Sequence, residues 1–144
     1  MPCWIAWRTI IASTPQRIYS TGHSMGGRGA LYFAFRLPSR FAAVLSLSPI
    51  SPITAWGRSL AQMPLWLFHG TADASAPIAE TKELVQAIEA AGGHPRFNSL
   101  EGRDHFILDV YDQPDVYLAS TAEAKRLGYP EATGDLTYHV GRHV

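Results

Sequence analysis

Apolar and polar positions alternate between two periods along this chain. Arg17-Ile18-Tyr19-Ser20-Thr21 is short and β-prone and runs straight into glycine, which predicts a strand. Gly27, Ala30, Leu31, Ala34 and Phe35 then recur at helical spacing until Pro38 ends the element. Phe41 to Leu47 reads as a buried strand, followed by a loop at Ser48-Pro49-Ile50-Ser51-Pro52. Pro64-Leu65-Trp66-Leu67-Phe68 is a third strand, of the continuously apolar kind found in parallel sheets. Thr81, Leu84, Val85, Ile88 and Ala91 mark a helix face that closes at Gly92-Gly93, and Arg96 to Leu100 is a weaker fourth strand. At the ends, residues 4–12, apolar with Arg8 inside, suit the end of an amphipathic helix broken by Ser13-Thr14-Pro15. Pro114 reads as the first residue of a last helix with Asp112 as its cap, and the polar tail from about Gly128 is expected to be loosely held.

Strands alternating with helices predict an α/β fold. The expected architecture is a short, mostly parallel sheet of about four strands, with right-handed crossovers placing helices on both faces. The chain of 144 residues is read as one domain, with residues 1–16 an N-terminal helix or cover, 17–127 the core and 128–144 the tail. Apolar residues at 47% and charged residues at 17% are enough for a real core. Twelve basic side chains balance twelve acidic ones, so no electrostatic case exists for nucleic acid or an anionic membrane surface. Cys3 is the only cysteine, which excludes an internal disulfide framework and a cysteine zinc site. His94, His139 and His143 show no ligand spacing, so no metal is expected. No run approaches the roughly 18 apolar residues of a membrane span. The opening residues lack a basic leader, and the default expectation is a soluble, cytoplasmic protein.

In parallel sheets ligands bind at the carboxyl ends of the strands, so the residues there matter most. The first strand ends in Gly22-His23-Ser24-Met25-Gly26, a G-x-S-x-G between strand and helix. Glycine neighbours let strand and helix approach, the strained turn exposes the serine Oγ, and the helix N-terminus offers N–H groups to a developing oxyanion. Gly27 and Gly29 are expected to let that helix pack close to the sheet. Past the third strand lies His69-Gly70-Thr71-Ala72-Asp73, where a carboxylate can orient a histidine. Past the fourth lies Glu101-Gly102-Arg103-Asp104-His105. Ser24, Asp73 and His105 thus follow three different strands at one edge, in the chain order serine, acid, histidine.

From Arg17 to Leu118 the chain resembles the C-terminal half of an α/β-hydrolase. It is similar to the carboxylesterase/phospholipase and dienelactone-hydrolase-like group and to the poly(hydroxyalkanoate) depolymerase and predicted-peptidase branch. The stretches Arg17 to Gly27 and His69 to Pro77 carry that likeness. The resemblance implies Ser24 as nucleophile, Asp73 as triad acid, His105 as general base and the Met25 N–H as one oxyanion donor, with no cofactor. The superfamily normally has several strands before the elbow, whereas here about sixteen residues precede the first. The absent half would supply the second oxyanion donor, whose loss costs roughly 10²–10³ in rate. It would also cover the first strand, so an exposed edge is expected, with a homodimer or higher homo-oligomer as cover.

Blander roles compete for the same residues. Asp73 could cap the helix near Pro77, Asp104 could replace it as the acid, and His105 could be a surface histidine. His69 reads as structural, and His23 as a residue that packs or shapes the pocket. Trp4, Trp7, Trp56 and Trp66 read mostly as core or interface, while Trp56, Met63 and Phe106 are guessed, from position, to line an acyl pocket. The leading expectation is a serine carboxylesterase acting on a small, short-chain ester. The alternatives are a peptidase or thioesterase on the same triad, or a non-catalytic fragment or interaction module.

Overall fold

The computed structural model describes residues 18–112. The helices expected over 4–12 and from Pro114, and the tail from Gly128, lie outside the described residues. Four strands run β1 (Tyr19–His23), β2 (Ala43–Leu47), β3 (Leu65–Gly70) and β4 (Arg96–Leu100). They pair in that order, all parallel. The helices are α1 (Met25–Arg36), the single turn α2 (Gly57–Leu60) and α3 (Ile78–Ala90). This is the expected α/β sheet, with each strand close to its predicted place. β1 and β3 each run two residues further than the apolar pattern suggested, so His23, His69 and Gly70 belong to strand ends rather than to loops.

β2 and β3 are buried along their whole length because both of their faces are covered. Val44, Leu65 and Leu67 point to one side, where Ala30, Leu31 and Ala34 of α1, Leu60 of α2 and Leu84, Val85 and Ile88 of α3 complete the larger core. Leu45, Leu47, Trp66 and Phe68 point to the other side and meet Ile107 and Val110. Leu31, Leu60, Leu67 and Leu84 are fully buried, each contributing roughly 2 kcal/mol by area removed from water.

Helices were expected on both faces, but among the described residues all three α-helices feed the same core cluster. The strand order explains why. When sequential strands add on one side and every crossover is right-handed, each connecting helix falls on the same face. Among the described residues the opposite face carries only the 3₁₀ helix Leu108–Asp112. Among the described residues no strand pairs along the outer side of β1. No helix among them is long and apolar enough to cross a membrane.

The glycines of α1 divide by face. A Cβ on Gly27 would sit 2.8 Å from the Leu47 carbonyl oxygen and 3.0 Å from Ser46 Oγ, so only glycine allows the approach. The Ser46 hydroxyl seals it by donating to the Gly27 carbonyl at 3.1 Å. Gly29 was expected to serve the same end, yet a Cβ there meets nothing within 4 Å. Two residues along a helix is about 200° of rotation, which turns Gly29 away from the sheet.

Candidate active site

Ser24 stands between the last residue of β1 and the first of α1, with φ 60° and ψ −119°. A serine in this region costs about 1–3 kcal/mol and persists only if its surroundings hold it there. Three backbone hydrogen bonds do so. Ser24 N–H donates to the Leu47 carbonyl at 2.9 Å, and the Ser24 carbonyl accepts from Arg28 N–H at 3.1 Å and Ile50 N–H at 3.3 Å. Gly22 makes the turn feasible, because any Cβ there would collide with the Gly26 carbonyl group. Gly26 itself has open space. Met25 opens α1, so its N–H is one of the donors a helix leaves unpaired at its start.

Asp73 lies on the loop after β3 with a fully buried side chain. Its two oxygens divide the work. Oδ1 accepts the N–H groups of Ser75 and Ala76, both at 2.8 Å, which closes the turn leading into α3. Oδ2 accepts from His105 Nδ1 at 2.7 Å. Burial alone would raise the carboxyl pKa. The hydrogen bonds from His105, Ala76 and Ser75 outweigh it and hold Asp73 below its ordinary value. The capping role weighed for Asp73 is not what is seen, since α3 has no side-chain cap and begins after Pro77.

His69 is wholly buried beside it. Its Nε2 donates to the Ala76 carbonyl at 2.8 Å and lies 3.2 Å from Asp73 Oδ2. A carbonyl can only accept, so Nε2 carries the proton, and in the neutral ring Nδ1 accepts from the Thr81 hydroxyl at 2.9 Å. The structural reading of His69 therefore fits, with an added feature: it fastens the acid's loop to α3.

His105 sits on the irregular chain between β4 and the 3₁₀ helix, and is buried. Its Nδ1 faces Asp73, and its Nε2 lies 2.8 Å from Ser24 Oγ. An ionised carboxylate accepts, so Nδ1 holds the proton and the free Nε2 lone pair points at the serine hydroxyl. Gly70 lets this chain pass, because a Cβ there would strike the carbonyls of Arg103 and Asp104. The Ala72 N–H donates to the Arg103 carbonyl at 2.9 Å, and Arg103 forms a two-pronged pair with Asp109 at 2.6 and 3.1 Å. The rival acid Asp104 is exposed and accepts from Phe106 N–H at 3.0 Å.

Thus Ser24, His105 and Asp73 meet in one hydrogen-bonded line, arranged to move a proton from a hydroxyl to an imidazole backed by a carboxylate. Phe106 stands 69% exposed beside it, its ring 5.6 Å from that of His105. The other two residues guessed for an acyl pocket are committed to the core. Trp56 stacks on Phe35 at 5.4 Å, and Met63 joins the same cluster. Spacing did not reveal the roles of Gly70, Thr81 or His23, which act only through tertiary contact.

A four-stranded parallel sheet with a strand-to-helix turn at Ser24 is the fold of an α/β-hydrolase. The Esterase family model matches residues 4–99, and the chain belongs to that family. It is 29% identical over 116 residues to the S-formylglutathione hydrolase of Bos taurus, covering 77% of this chain. That alignment spans only 38% of the bovine protein's length. Among solved structures, a thermostable esterase matches with a TM-score of 0.69 at 24% identity, over 81% of this chain and 35% of that one. An S-formylglutathione hydrolase from Agrobacterium tumefaciens matches with a TM-score of 0.60 at 22% identity, over 85% and 55% respectively.

Proposed function

We propose that this chain carries the catalytic triad of a serine hydrolase that cleaves short-chain carboxylic esters. The observation that carries the reading is the unbroken line from Ser24 Oγ to His105 at 2.8 Å and from His105 to Asp73 at 2.7 Å. Ser24 Oγ attacks the ester carbonyl carbon while its proton passes to His105 Nε2. Asp73 fixes the imidazole tautomer and stabilises the imidazolium. The Met25 N–H holds the oxyanion. His105 returns its proton to the leaving alcohol as the C–O bond breaks, leaving an acyl-Ser24 enzyme. Water then gives a proton to His105 and its oxygen to the acyl carbon, and the acid departs as the bond to Ser24 Oγ breaks and His105 returns that proton to Oγ.

Membership of the Esterase family supports ester chemistry. A second reading, thioester hydrolysis, draws on the relatives' names. S-formylglutathione is a thioester, and its named hydrolases are 29% identical to this chain. The same triad performs either reaction, and the leaving group alone differs. The proposal includes self-association along the outer side of β1, which light scattering on the purified protein would detect.

The test is turnover of p-nitrophenyl acetate and of a matched thioacetate by the wild type and by Ser24→Ala. Turnover of either substrate that vanishes in the variant supports the triad. Equal rates in both proteins would refute it, and the ratio of ester to thioester rates decides between the readings.

A further inference from the structure

His23 is the last residue of β1 and the immediate neighbour of Ser24. Its Nε2 lies 2.6 Å from the main-chain carbonyl oxygen of His105, across 82 residues of sequence. Because a carbonyl can only accept, the ring is protonated at Nε2 and donates. The ring also packs at 4.7 Å from that of His105, tilted by 52°, and at 5.9 Å from Phe106. The residue before the serine therefore grips the backbone of the residue proposed as its base.

The surroundings show why that grip matters. Asp73 orients the His105 ring but not the chain that carries it. That chain is irregular, and the hydrogen bonds on either side fall on other residues: the Ala72 N–H holds the Arg103 carbonyl, while the Asp104 side chain holds the N–H of Phe106. The His23 hydrogen bond acts on residue 105 itself. It closes a short loop of structure: Ser24, one peptide bond to His23, one hydrogen bond to the His105 carbonyl, the His105 side chain, and back to Ser24 Oγ at 2.8 Å. A closed circuit of this kind sets a distance. Misplacing a reacting group by an ångström can cost about 10²-fold.

We propose that His23 is a positioning residue, whose Nε2–H, donated to the His105 main-chain carbonyl, holds that histidine at hydrogen-bond distance from Ser24. The inference rests on the triad reading above, and its test separates the two. His23→Phe keeps the ring and its contacts but removes the donor. His23→Gln restores an N–H at the Nε2 position. In His23→Phe, kcat on p-nitrophenyl acetate falls roughly 30–100-fold with KM changed less than about twofold, and labelling of Ser24 by a fluorophosphonate slows in parallel. His23→Gln recovers to within about fivefold of wild type. Equal losses in the two variants, or a kcat for His23→Phe within about threefold of wild type, would overturn the proposal.

Nitrogen NMR of the wild-type histidine rings gives a readout independent of turnover and of the variants' folding. The His23 signal is expected as the Nε2–H tautomer, and a neutral ring protonated at Nδ1 instead would sink the assignment. If the wild type is inactive and indifferent to Ser24→Ala, the hydrolase reading fails, while the tautomer still decides whether the clamp exists.

Discussion

Gly70 at the end of β3 lies directly against the backbone carbonyls of Arg103 and Asp104. The strand that leads to the acid thus serves as the floor over which the chain bearing His105 runs. Alanine at position 70 would push that chain outward from its floor while leaving Ser24, Asp73 and His105 chemically unchanged. Gly70→Ala is expected to lose stability by about 1–3 kcal/mol through overpacking. It is also expected to lose roughly 10²-fold in kcat, because the imidazole moves relative to Ser24. Urea unfolding and steady-state kinetics on the same preparation check both. A variant that unfolds early yet keeps wild-type kcat would show that the floor supports the fold and not the site.

Asp73 makes a pH prediction with a definite sign. Its carboxyl lies below its ordinary value of 3.8, because the His105, Ala76 and Ser75 hydrogen bonds outweigh its burial. A depressed folded pKa means that the unfolded chain binds the proton more readily. The stability this provides is fully present above the unfolded value and is lost as pH falls through the lower folded value. Asp73→Asn has no such titration, though its side-chain oxygen still accepts from Ser75 and Ala76. The difference in unfolding free energy between wild type and Asp73→Asn is therefore expected to shrink as the pH falls below about 4. A difference that stays the same in acid would mean that the carboxylate is not held as described. Activity of the variant is expected to fall on the order of 10³–10⁴-fold, since an amide no longer stabilises the imidazolium.

Much of this was legible from residues alone, for local reasons. A G-x-S-x-G turn, an apolar strand running into His69-Gly70 and a glycine turn before His105 are each short-range signals, and from them Ser24, Asp73 and His105 are expected at one sheet edge. What was not legible is what depends on strand order and on contacts between distant segments. Among the described residues the α-helices share one face, which follows from sequential strand addition and which no local pattern encodes. The grip of His23 on the His105 carbonyl spans 82 residues, and a histidine in that turn looks the same whether it packs or donates. Of the two readings of Trp56, core and pocket wall, the core one holds, because the side chain is buried against Phe35 on α1, a partner visible only in three dimensions. Gly27 and Gly29 were legible in principle, since their spacing puts them on opposite sides of the helix.

Ser24 carries a cost that the rest of the turn sustains. At φ 60° and ψ −119° a side chain is disfavoured, whereas glycine adopts such a conformation freely. Ser24→Ala keeps a Cβ and so keeps the strain. Ser24→Gly removes it, at the expense of about 0.5–1 kcal/mol of added chain entropy in the unfolded state. The Oγ hydrogen bond to His105 is lost equally in both variants, so comparing them isolates the backbone. Ser24→Gly is expected to be more stable than Ser24→Ala by about 1 kcal/mol, with both inactive. Thermal and urea unfolding of the pair measure the difference. Equal stability would mean that the turn tolerates a Cβ without strain, and that the serine is exposed by the close packing of β1, β2 and α1 rather than by a backbone held out of its preferred range.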